Sequence, residues 1–76
     1  MENLEKRINR IVGQMKGIEK MVIDGRSCNE VLQQVSAVKK AIDGLTKELV
    51  IQDVGKYVPA DKLKEVERVV ERAISL

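Results

Sequence analysis

The chain has 76 residues, a formal net charge of +2, one tyrosine as its sole aromatic residue, one cysteine and no histidine. That length allows one domain, spanning residues 1–76, and an apolar inventory of Val, Ile, Leu, Met and Ala suits an all-α bundle too small to be stable without partners. No apolar run is long enough for a bilayer, the opening Met-Glu-Asn-Leu-Glu-Lys has no signal-peptide pattern, and a lone cysteine makes no intrachain disulfide, so a cytoplasmic oligomer without membrane contact is expected.

From Leu4 the apolar residues fall at Leu4, Ile8, Ile11, Met15, Ile18 and Val22, in steps of 4, 3, 4, 3 and 4. This is a heptad seam, widened by Val12 and Met21, and it predicts a helix from Glu2 to Asp24, about 34 Å long at about 1.5 Å per residue. Gly13 and Gly17 lie off the seam, each at a cost of up to ~1 kcal/mol against Ala. Close approach of another backbone or of a ligand such as DNA would compensate that cost, and helices also tolerate single glycines. Residues 1–27 carry six basic and four acidic groups, whereas 28–58 and 59–76 each balance at four and four. A surplus of two is also what a plain solvated helix face carries.

The stretch Asp24-Gly-Arg-Ser-Cys-Asn-Glu30 organises the chain. Gly25 can take the left-handed conformation that closes a helix. Ser27 and Glu30 have the spacing of a capping box, in which the serine oxygen accepts from the Glu30 amide and the glutamate reaches back to the Ser27 amide. Cys28 then falls in the first turn of the next helix, where free amides and the helix dipole, with Arg26 two residues upstream, favour thiolate over thiol. The plainer role for such a residue is a small, partly buried hydrophobe.

The second seam is Val31, Val35, Val38, Ile42, Leu45 and Leu49, again in steps of 4, 3, 4, 3 and 4. It passes through Asp43-Gly44 without a change of phase, so one helix is expected from Cys28 to Val54. Two long seams joined by a tight turn make an antiparallel hairpin, and a second copy completing a four-helix bundle covers what two helices cannot. Gly55 to Ala60 break the pattern, and Pro59 suits the first position of a third helix running to Ser75. Its apolar face is Leu63, Val66, Val70 and Ala73, with Val69 and Ile74 nearby, and its polar face reads as solvated, with pairs Lys64–Glu67, Glu65–Arg68 and Arg68–Glu71.

These residues exclude most chemistries. Without histidine there is no Ser-His or Cys-His nucleophile, no carboxylate pair is set apart for acid–base work, and Gly13-x-x-x-Gly17 lies in a helical pattern, not after a strand as a phosphate loop would. An enzyme is not expected. A soft metal wants several Cys or His ligands, and the chain offers Cys28 alone. Periodicity leaves two functions open: a helical protein-interaction module without DNA binding, or a DNA-binding oligomer. For the second, Arg7, Arg10, Gln14 and Lys16 project from helix 1 off its seam and Lys39, Lys40 and Lys47 add to helix 2; repeated over a dimer or tetramer they could neutralise many phosphates.

Three pieces carry a resemblance: Arg7-Ile-Asn-Arg-Ile-Val-Gly-Gln-Met-Lys-Gly-Ile18, Cys28, and Val31-Leu-Gln-Gln-Val-Ser-Ala-Val38. Together they resemble the CsoR/RcnR/FrmR family of bacterial metal- and stress-sensing transcriptional repressors over nearly the whole chain. The resemblance implies an all-helical protein that dimerises through a four-helix bundle, pairs into a homotetramer and binds a double-stranded operator without a helix-turn-helix. It places Arg7, Arg10, Gln14 and Lys16 on the DNA-binding motif, with Lys39 and Lys40 just past the matched stretch.

The sensing set departs from the family. Its copper sensors pair the helix-2 cysteine with a histidine 25 residues on and a second cysteine four beyond; here those positions are Asp53 and Tyr57, neither a soft ligand. Persulfide sensing needs the same second cysteine, and nickel or cobalt sensing needs histidines. The formaldehyde sensors use an N-terminal proline, where this sequence has Met1-Glu2. No certain cofactor follows. Of the family's Cu(I) or other metal site only Cys28 remains, with Asp53 as a weak companion, and a sensing thiol is the expectation that survives.

Overall fold

The computed structural model describes residues 4–74. They form α1 (Leu4–Ile23), α2 (Cys28–Val54), a 3-10 turn (Ala60–Lys62) and α3 (Leu63–Ile74), with no strand among the described residues. The protein is all-α, as its composition requires. The expected helix limits at Glu2 and Ser75, and the Met1-Glu2 terminus, lie outside the described residues. The chain divides into two compact units, Met1–Ile42 and Asp43–Leu76, and α2 contributes to both.

In the first unit α1 ends in a Schellman motif. The Arg26 amide donates to Met21 O at 2.9 Å and the Gly25 amide to Val22 O at 3.1 Å. Gly25 holds φ at +73°, where a side chain costs about 1–2 kcal/mol. Two residues later α2 starts on a cap: the Glu30 amide donates to Ser27 Oγ at 3.2 Å and the Val31 amide to Ser27 O at 3.1 Å. The capping box is closed on one side only. The Glu30 carboxylate accepts from Arg26 Nε at 2.7 Å instead of reaching back to the Ser27 amide. A guanidinium outcompetes a neutral amide for a carboxylate.

The half-buried line of α1 is Leu4, Arg7, Ile11, Gln14, Ile18 and Met21. The expected seam is therefore split along its length. Leu4, Ile11 and Ile18 turn into the unit, while Ile8, Val12, Met15 and Val22 form a second ridge left in solvent, Met15 at 50% and Val22 at 61% exposure. On α2, Val31, Val35 and Ala41 are half-buried around Val38, the one buried side chain among the described residues at 4% exposure. Leu32 and Ile42 stay exposed. Each apolar stripe is half-buried along one edge and exposed along the other, wider than a single neighbouring helix covers.

The second unit begins in the last half of α2. Gly55 stops that helix: its amide still donates to Ile51 O at 2.8 Å, and a Cβ there would sit 2.6 Å from the same oxygen. Pro59 does not open α3 as expected. With φ −57° and ψ 147° it stands before the 3-10 turn, its carbonyl accepting from the Lys62 amide at 2.9 Å. A fixed proline φ serves either role, and the extended ψ selects this one. α3 lays Leu63, Val66, Val70 and Ile74 inward. Of the two candidates at its end, Ile74 is half-buried and Ala73 exposed, as a straight helix of 3.6 residues per turn drifts from a heptad.

The polar face of α3 also reaches beyond its own helix. Glu71 accepts from Lys47 Nζ of α2 at 2.6 Å, and Glu65 pairs with Lys62 at 4.0 Å. The hydrogen bond to Glu71 and the charges of Glu71, Glu67 and Glu48 raise the Lys47 pKa above the ordinary lysine value. A raised folded-state value stabilises the fold below the unfolded lysine pKa and loses that contribution as pH climbs through the folded one. Glu71→Gln is accordingly expected to be less stable than the parent near neutral pH, with the gap closing above about pH 10; urea denaturation at a series of pH values measures it.

Candidate nucleic-acid interface and sensing thiol

Arg10 and Lys16 are exposed on α1, and Lys39 and Lys40 are exposed on α2, all four within the first unit. Arg7 and Gln14 are placed differently from the sequence expectation that they project off the seam. Both lie on the inward line of α1 with Ile11 and Ile18, half-buried, and the Arg7 Nε and Gln14 Oε1 atoms are shielded from solvent. Gln14 Oε1 meets no donor there. A shielded acceptor without a donor costs about 1–3 kcal/mol, so this glutamine is expensive for the single chain. Lys47 leaves the cationic set, since its ammonium is held by Glu71.

No motif marks Lys6 and Lys20, yet both are exposed on the side of α1 that bears Arg10. Their signal in the sequence is the spacing Lys6, Arg10, Gly13, Gly17, Lys20, in steps of 4, 3, 4 and 3. It is a line parallel to the apolar seam and composed of cations and glycines.

Cys28 is the first residue of α2 and is exposed. It is not the partly buried hydrophobe that the plainer expectation described. Its position beside the Ser27 cap places it among first-turn amides. Arg26 is not directed to the sulfur: its guanidinium is engaged by Glu30. Asp53 and Tyr57 belong to the second unit, Asp53 exposed in the last turn of α2 and Tyr57 at 82% exposure in the turn that follows.

A soft-metal site does not fit these donors. Cu(I) and Zn(II) take thiolates and imidazoles, and the chain has one cysteine and no histidine. Among the described residues no three Cys, Asp or Glu side chains gather to hold an ion. No helix among them is long and apolar enough to cross a membrane.

Comparison with known proteins supplies the family to which these residues belong. A family model described as metal-sensitive transcriptional repressor matches residues 1–76. The copper-sensing transcriptional repressor CsoR of Bacillus subtilis (strain 168) is 35% identical over 74 residues, covering 97% of this chain and 70% of that protein. The transcriptional repressor RcnR of Escherichia coli (strain K12) is 31% identical over 68 residues, covering 87% of this chain and 76% of that protein. No solved structure matches the chain.

Proposed function

The chain belongs to the family of metal-sensitive transcriptional repressors, and from that premise we propose that it represses by gripping double-stranded operator DNA as a homodimer or homotetramer, without the family's metal site. The family is not enzymatic, in keeping with a chain that has no histidine to activate a nucleophile. The observation that carries the proposal is the exposure of Arg10, Lys16, Lys39 and Lys40 in a protein of this family. Arg7 and Gln14 join the interface in this reading, a duplex or a second copy supplying the donor that Gln14 Oε1 does not find within one chain.

The exposed ridge Ile8, Val12, Met15 and Val22 is the surface on which a second copy completes a four-helix bundle. Doubling the chain also doubles the phosphates it can neutralise, and affinity for a duplex then falls steeply with salt. Arg10→Ala is expected to weaken binding and flatten the plot of log affinity against log salt by about one unit for each phosphate left unneutralised. Fluorescence anisotropy across a salt series reads this; a parent protein with no duplex binding at any salt leaves only a protein-interaction module.

Cys28 is the sensing position in this proposal. An adduct on an exposed first-turn thiol adds bulk beside the turn that sets the hairpin, and so alters how the assembled repressor fits DNA. Parent protein and Cys28→Ala, each bound to duplex, are challenged in turn with formaldehyde, hydrogen peroxide and Cu(I). Release from the parent and retention by Cys28→Ala is the expected outcome. Equal release from both would end the role of Cys28.

A further inference from the structure

We propose that one particular face of α1, the line Lys6, Arg10, Gly13, Gly17 and Lys20, lies directly along a phosphate backbone of the duplex. This deepens, and rests on, the reading of the chain as a DNA-binding repressor. All five residues are exposed, with Asn9 and Lys16 exposed beside them. Between Lys6 and Lys20 the line carries no acid; Glu5 and Glu19 lie on other faces of the helix, toward the apolar ridge. The inward line and the apolar ridge are already committed to the hairpin and to a second copy, so this is the side of α1 that assembly leaves open.

The two glycines give the face its shape. Both sit in the interior of α1, where glycine is unfavourable, and no other part of the chain lies within 4 Å of where a Cβ would stand at either position. Packing within the chain therefore does not account for them. Their amides are used inside the helix, so they supply clearance and not donors. The middle of the face is a shallow saddle, with Lys6 and Arg10 at one end and Lys20 at the other. From Lys6 to Lys20 the axis runs about 21 Å at about 1.5 Å per residue. Successive phosphates of one strand follow the backbone at about twice the 3.4 Å axial rise, so that length meets about three of them.

Charge selects the occupant. If a second copy met this face about a two-fold axis, Lys6, Arg10 and Lys20 would oppose the same cations. A polyanion meets them with opposite charge, and a duplex supplies a continuous row of phosphates at the required length.

The test uses the full chain and a labelled short duplex of mixed sequence. Gly13→Ala/Gly17→Ala is expected to melt at a higher temperature than the parent, since alanine favours the helix, and yet to bind the duplex more weakly. Gly17→Leu fills the saddle and is expected to lower affinity by about tenfold, and Lys20→Gln to flatten the salt slope by about one unit for each copy whose Lys20 meets a phosphate and weaken binding equally across sequences. Light scattering is expected to give these variants the parent's assembly state. Variants that bind as tightly as a duplex-binding parent overturn the assignment of this face, as does loss of assembly in Gly17→Leu, which would give the face to a second copy. A parent that binds no duplex overturns the DNA-binding reading itself.

Discussion

The constraint on which the rest depends is a shortage of cover. Val38 alone is buried among the described residues, while Ile8, Val12, Met15, Val22, Leu32, Ile42 and Leu49 remain about half exposed. Each is already about half covered, so each would gain on the order of 1 kcal/mol on full burial, about half the value for a wholly exposed side chain. A folded domain is stable by only about 5–15 kcal/mol in total, so a few uncovered aliphatic side chains decide whether one chain persists by itself. The apolar stripes of α1 and α2 are each wide enough for two neighbours, and one chain supplies one. A second copy is the natural cover, because its ridge has the same heptad spacing and the pairing is self-complementary about a two-fold axis.

Assembly and function share that geometry. The turn from Asp24 to Ser27 fixes how α1 is followed by α2: Gly25 provides the left-handed step, Ser27 caps, and Arg26 is tied to Glu30. The inward line and the apolar ridge then take two sides of α1, and the third side keeps its cations in water. Cys28 projects from the same turn, so a modification there acts where the hairpin is set. The missing histidines limit what the chain can sense through the family's metal ligands without altering how it folds, because Asp53 and Tyr57 are both exposed and bear little of the fold's packing.

Where local chemistry decides, the sequence is explicit. The limits of α2 at Cys28 and Val54 follow from the Ser27 cap and the Gly55 stop, and Asp43-Gly44 leaves the helix intact because the apolar phase is unbroken on either side. Where two local signals compete, the sequence does not choose between them. Glu30 could serve the Ser27 amide or Arg26, and the charged partner wins; Pro59 could begin a helix or precede a 3-10 turn. Longer range is harder still. The Lys47–Glu71 pair joins residues 24 apart and has no sequence pattern, whereas i,i+3 pairs on α3 are conspicuous in the spacing. The heptad seam of α1 specifies a wide stripe but not which edge the hairpin covers, and for that reason Arg7 and Gln14 read as outward residues and stand half-buried beside Ile11. The line Lys6, Arg10, Gly13, Gly17 and Lys20 is legible as a spacing on α1, but nothing in that spacing names what would meet it.

Sedimentation equilibrium over a dilution series, with helicity followed in the same samples, tests the central claim most directly. A dimer or tetramer that loses helix as it dissociates is the predicted result. A fully helical monomer that persists at working concentrations would contradict it, since the ridge along Ile8, Val12, Met15 and Val22 would then need no cover.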